Sequence, residues 1–291
     1  MDKKELQALI SLLDDNDENV IDVVIKKLLE LGNDVIPELE NAWEHSANEV
    51  FQEKVENIIQ NIQFQFVKDN LKELAGSDDF DLLKGAYWIT KYQYPDINFD
   101  KISQKIELIK KDVWLELNQN LTALEKVKIL NHIIYDVHGF SRNSSNFYAP
   151  QNSYINYVLD EKKGNAVSLS LLYAIVAQQL DLSIYGVNLP KNFVLAYKDE
   201  IKTFSTLHEN DSDSVLFYIN PFNKGAVFGR REIDLFIKQQ NLEYSETYFT
   251  PCSNKELIIE LVNSLIIAYE KLGYPDKVKD FNEILHILIA K

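Results

Sequence analysis

A thiol or hydroxyl with a base beside it, or His, Cys, Asp and Glu at ligand spacing, would be the chemically capable groups of this chain. The sequence holds one cysteine, Cys252, and five histidines, His45, His132, His138, His208 and His286. A single cysteine excludes an intrachain disulfide and the usual four-ligand thiolate zinc site. No two histidines stand three to five residues apart, so metal spacing is absent and neither a metal nor another cofactor is expected. Cys252 follows Pro251 and precedes Ser253-Asn254, which places it near a helix start, where the positive end of the helix dipole can lower a thiol pKa. Ser168 is the alternative nucleophile. His208, with Glu209, Asp211 and Asp213 after it, is a metal candidate by residue type alone, and His138 beside Gly139 a candidate base. Solvation of a loop accounts for both as simply.

The elements that must position these groups come in three stretches. Residues 4 to 66 read as helices. Leu6, Leu9, Ile10 and Leu13 share one stripe, and Val20, Val23, Val24, Ile25, Leu28 and Leu31 another, at helical spacing. The Asp14-Asp15-Asn16-Asp17 cluster should cap the second helix and Gly32 end it. A third helix carries Pro37 in its first turn, and Val55, Ile58, Ile59 and Ile62 begin a further hairpin, loosely resembling a HEAT-type pair. Helical periodicity continues to about residue 135, and a polar segment from Gly139 to Ser153 reads as a surface loop. Val167 to Leu180 is predicted helical. The period then changes to two, and Ile184–Asn188, Phe193–Tyr197 and Val215–Asn220 are predicted strands. Helices first and a small antiparallel sheet after them make an α+β, mainly helical chain. Lys255–Leu272 and Asp276–Ile289 close it as a TPR-like hairpin. The expected organisation is 1–66, 67–250 and 251–291.

Composition narrows the function. Thirty Lys and Arg against 45 Asp and Glu give a formal charge of −15, which repels phosphate backbones unless the bases are segregated on one face. The pairs Lys26-Lys27, Lys110-Lys111 and Lys162-Lys163 stand isolated among acids, so nucleic acid is not an expected partner. The richest apolar run, Leu257 to Leu265, is broken by Glu260 and Asn263, well short of the ~20 apolar residues of a membrane helix. With no apolar leader after Met1, a cytoplasmic location is expected.

The run Phe147-Tyr148-Ala149-Pro150-Gln151-Asn152-Ser153, then Val158-Leu159, Gly164-Asn165-Ala166-Val167-Ser168-Leu169 and Gly186-Val187-Asn188-Leu189-Pro190, resembles the SirB branch of the transglutaminase-like superfamily. The resemblance covers about residues 77 to 250, and the closing hairpin is also known in that branch. It implies a papain-like core, in which a Cys at a helix start, a His on a facing strand and an Asp on the next form the catalytic triad. On this alignment the Cys position is Ala166, the His position Asn192 and the Asp position Asn220. A methyl group is no nucleophile, and asparagine neither takes up a proton near neutral pH nor stabilises an imidazolium. Ser168 lies about 200° round the helix from Ala166 and should face away from the cleft.

The resemblance therefore implies a non-catalytic relative, with a vestigial cleft of Asn165, Ala166, Asn192 and Asn220. Such a cleft, or the helical ends, would bind a protein or peptide partner. Collapse of the cleft, with the asparagines satisfying one another, is an equally simple outcome. The rival from another class is an amide hydrolase or acyltransferase with its nucleophile relocated to Cys252 or Ser168. A third reading is a structural subunit whose helical ends bury against an obligate partner.

Overall fold

The computed structural model describes residues 2–15, 17–146, 148–190, 192–199 and 214–290. The chain divides into two compact units, residues 1–73 and 74–291. The first holds α1 (Lys3–Ser11), α2 (Glu18–Leu31), α3 (Ile36–His45) and most of α4 (Glu49–Ala75). Its core holds much of the stripes read from the sequence, Leu6, Ile10 and Leu13, then Val24 and Leu28, then Val55, Ile58 and Ile62, together with Ile21 and Leu39, whereas Val23 of the second stripe is exposed. Asp17 caps α2 by accepting from the Asn19 amide at 3.0 Å, and Pro37 sits in the first turn of α3, where its missing N–H costs nothing. The expected second hairpin is instead one uninterrupted helix of 27 residues, so the boundary expected at 66/67 falls inside α4 and the compact division follows Glu73.

The second unit contains α5 (Leu82–Gln93), α6 (Phe99–Glu116) and α7 (Ala123–Asn131), then a π-helical turn, His132–Val137. After β1 (Ser141–Arg142), α8 (Ile155–Glu161) and β2 (Lys163–Gly164) comes α9 (Ala166–Gln178). Next are β3 (Ile184–Val187), β4 (Val194–Lys198), β5 (Val215–Asn220) and β6 (Ala226–Phe228), then α10 (Arg230–Gln239), α11 (Asn254–Leu272) and α12 (Pro275–Ile289).

Every residue of α9 from Ser168 to Ala177 is buried, so neighbours must enclose it on all sides. They are β3 and β4 along one flank and α5, α6, α8 and α11 around the rest. The sheet runs β3-β4-β5-β6, antiparallel throughout. Val194 and Ala196 of β4 join Ile233 and Ile237 of α10 and Phe249 in a second core, while alternation turns Leu195 to the opposite face. The sheet is thus covered by helices on both faces, and the α+β, mainly helical fold expected from the sequence is the fold found.

Two features depart from the sequence reading. The closing hairpin packs within the second unit, with α11 against α5, α9 and β3. And the segment 139–153, expected at the surface, is partly internal. Its Ser141–Arg142 pairs in parallel with Lys163–Gly164, and Asn143, Asn152 and Ser153 are buried. Polarity does not forbid this, because the side chains satisfy one another: Asn143 Nδ2 donates to Asn152 Oδ1 at 2.8 Å, and Asn152 Nδ2 to Asn146 O at 2.7 Å.

Gly225, between β5 and β6, has φ +68°, and a Cβ there would lie 1.8 Å from Asn131 Oδ1. Asn131 donates from Nδ2 to Gly225 O at 2.8 Å and accepts from the Tyr173 hydroxyl at 3.0 Å. Gly139 has φ +73° but open space around it. Gly225→Ala should therefore cost about 3–5 kcal/mol, adding lost buried hydrogen bonds to left-handed strain. Gly139→Ala should cost only the strain, about 1–2 kcal/mol. Urea midpoints of the two variants test the order.

Candidate functional site

The site begins with the way α9 starts. Asn165 is its N-cap: Oδ1 accepts from Ser168 N at 2.8 Å, and Ser168 Oγ accepts in return from Asn165 N at 3.0 Å. Ser168 spends its own proton on Asn152 O at 2.5 Å and is 1% exposed. It faces away from the cleft, as its spacing from Ala166 required. Asn165 Nδ2 donates to Ser153 Oγ at 2.8 Å. The two hydroxyls Ser153 and Ser264 lie 3.1 Å apart. Ser264 gives its proton to Leu261 O at 2.8 Å, so Ser153 is the donor to Ser264.

Beside this chain opens a cavity of about 320 Å³. Asn165, Ala166 and Val167 form one side. Asn188, Leu189, Pro190, Asn192 and Phe193, between β3 and β4, form another. The third wall is α11, through Glu260, Asn263, Ser264, Ile267 and Ala268, and Tyr148 stands at the edge. The Lys271 ammonium sits over the Tyr148 ring, 3.1 Å from its centroid. Tyr154, next to Ser153, ties the same helix: its hydroxyl lies 2.9 Å from that of Tyr269, which donates onward to Gln93 Oε1 at 3.2 Å. Burial holds the Tyr154 phenol well above its ordinary pKa, so both members of the pair are neutral donors.

Three of the four residues assigned to the vestigial cleft, Asn165, Ala166 and Asn192, meet in this cavity. Asn220 is not among its lining residues. It ends β5, and its Oδ1 accepts from Asn223 N at 3.2 Å, capping its own turn. The alternative outcome, collapse of the asparagines onto one another, is not seen among the described residues. Asn192 N donates to Leu189 O at 3.0 Å, but its side-chain amide makes no hydrogen bond among the described residues.

The other candidates lie elsewhere. His138 Nε2 is 2.8 Å from Asp112 Oδ2, away from the cavity lining. His208 and its acidic neighbours fall outside the described residues. Among the described residues, no group of three His, Cys, Asp or Glu could hold a metal, and no helix is long and apolar enough to cross a membrane. Cys252 precedes the Ser253 cap of α11 but lines a separate hollow with Tyr185, Ser253 and Asn254. Burial first, and the Glu256 charge second, push its thiol up to about 12, so the expected activation by a helix start is outweighed. The wall that sequence reading missed is α11. Its signal was present: Glu260, Asn263, Ser264 and Ile267 repeat at helical spacing, and the first two are the polar breaks in the apolar run.

Residues 100–263 match the family model of the transglutaminase-like superfamily. The chain belongs to that superfamily. The match runs through α9 and the sheet and ends at Asn263, within the cavity wall. F-box only protein 21 of Mus musculus is 26% identical over 257 residues, covering 80% of this chain and 40% of that protein. A UPF0162 protein of Xylella fastidiosa is 25% identical over 162 residues, 55% of this chain and 53% of that one. Another, from Vibrio cholerae, is 25% identical over 149 residues, 50% and 51%. The chain thus spans about half the length, or less, of these curated relatives. No solved structure matches it.

The raised Cys252 pKa gives a sign. The neutral thiol is favoured by the fold, so its contribution to stability is full below the unfolded pKa, about 8.5, and is lost as pH rises toward about 12. Iodoacetamide at pH 8.5 should alkylate the folded protein at least tenfold more slowly than the urea-unfolded chain. Stability should fall more steeply above pH 9 in the natural protein than in Cys252→Ala.

Proposed function

We propose that this protein is a non-catalytic transglutaminase-like binding module, and that its cavity at the start of α9 holds an extended segment of a protein or peptide partner. The observation that carries this reading is the side-chain amide of Asn192, without a hydrogen-bond partner among the described residues, on the wall of an open cavity whose helix start bears Ala166. An amide offers both donors and an acceptor, the complement of a peptide group or of another amide. The first-turn N–H groups of Ala166 and Val167 add donors aimed along the α9 axis. A cavity of about 320 Å³ is at the small end of ligand sites, enough for one or two side chains of a bound segment rather than a whole metabolite with its surroundings. Against relocated chemistry stand the spent proton of Ser168 and the half-buried, protonated Cys252 in a different hollow. The serines that do line the cavity, Ser153 and Ser264, are committed to a hydrogen-bond chain with no histidine among its described members.

Two measurements test the reading. Incubation with a glutamine-containing peptide and a fluorescent amine, or with peptidyl anilides, should give turnover no greater than buffer. Reproducible turnover that follows the purified chain would sink the non-catalytic half. Random seven-residue peptides displayed and selected on the natural protein should lose at least tenfold in retention on Ala166→Trp, which fills the cavity, and on Asn192→Ala. Peptides held equally by all three proteins, with spectra showing each folded, would place binding elsewhere.

A further inference from the structure

Glu260 is the sole carboxylate among the described residues of the cavity wall, and the wall holds no described lysine or arginine. Both of its hydrogen bonds go to one oxygen: Asn188 Nδ2 donates to Oε1 at 2.9 Å, and Asn263 Nδ2 to the same atom at 3.1 Å. Two neutral amides orient a carboxylate without cancelling its charge. No cation pairs with Glu260 among the described residues. Lys255, five residues before Glu260 on the same helix and about 140° round it, donates its ammonium to Ala75 O at 3.4 Å, and Lys271, eleven residues on and about 16 Å along the axis, sits over the Tyr148 ring. Among the described residues, a formal negative charge thus stands without an ion-pair partner beside apolar wall from Val167, Leu189, Phe193 and Ile267.

We infer that the cavity takes a lysine side chain of the partner segment, its ammonium against Glu260 Oε2 and its alkyl stem along that apolar wall. The inference rests on the cleft reading above and adds the chemistry that the cleft selects. A lysine stem of four methylenes buries against carbon while its head keeps a polar partner. Arginine fits less well. Its guanidinium gains most from a fork that engages both carboxylate oxygens, and here Oε1 already accepts two hydrogen bonds. An ammonium is a point charge that one oxygen satisfies.

The probes are N-acetyl-lysine methylamide and its norleucine and arginine counterparts, titrated into the 15N-labelled full chain while the side-chain amide signals of Asn188 and Asn263 are followed. The lysine probe should half-saturate those signals at a concentration at least tenfold below either counterpart, and Glu260→Gln should shrink that advantage to under twofold. If norleucine moves the same amides at the same concentration as lysine, the cation plays no part. The inference then falls while the cleft reading stands. If arginine matches lysine, the single-oxygen argument is wrong. If no probe moves these amides, the inference also falls, and the displayed peptides decide the cleft reading separately. The comparison of probes on the natural protein stands even if Glu260→Gln is poorly folded.

Discussion

Helix α9 has no polar face, and the larger unit is the consequence. Ten consecutive residues of it, Ser168 to Ala177, are buried. A helix apolar all round must be enclosed on every side, so the sheet, three preceding helices and α11 are recruited around one axis. The ends of such a helix are the places where its backbone polar groups need partners from outside. At the C-terminal end the chain turns directly into the sheet. At the N-terminal end the groups are met by Asn165, Ser168 and the buried amides of the segment before it, and it is there that the enclosure opens into a cavity.

That architecture explains why the strands and α9 were legible in the sequence while the site was only half so. A long apolar run followed by period-two segments leaves little choice of element, and the ends of the predicted helix and strands fall within two residues of those found. β6 was not foreseen, because three residues give no period to read. The burial of Asn143, Asn152 and Ser153 was illegible for a different reason. Their polarity argues for the surface, and only the mutual hydrogen bonds formed in three dimensions reverse that.

The cleft itself was legible where local sequence carries it. Asn165 and Ala166 belong to one cap, and Asn192 follows a strand end. Asn220 failed because its placement depended on how β5 meets its turn, and its side chain prefers the nearby Asn223 amide. The contribution of α11 is non-local, arriving from more than 60 residues beyond Asn192. Setting 251–291 apart as a separate hairpin hid the fact that its polar positions face a cavity rather than solvent. Family membership rests on residues 100–263, which bring the fold and leave the chemistry of Ala166 and Asn192 to be read from the residues themselves.

Two adjacent residues, Ser153 and Tyr154, hold α11 at two points a little over one turn apart, through Ser264 and Tyr269. Swinging that wall outward would break both bonds at once and strand a buried phenol, so α11 behaves as a fixed jamb. Because this side is preorganised, little ordering entropy on the α11 wall would be lost on filling the cavity.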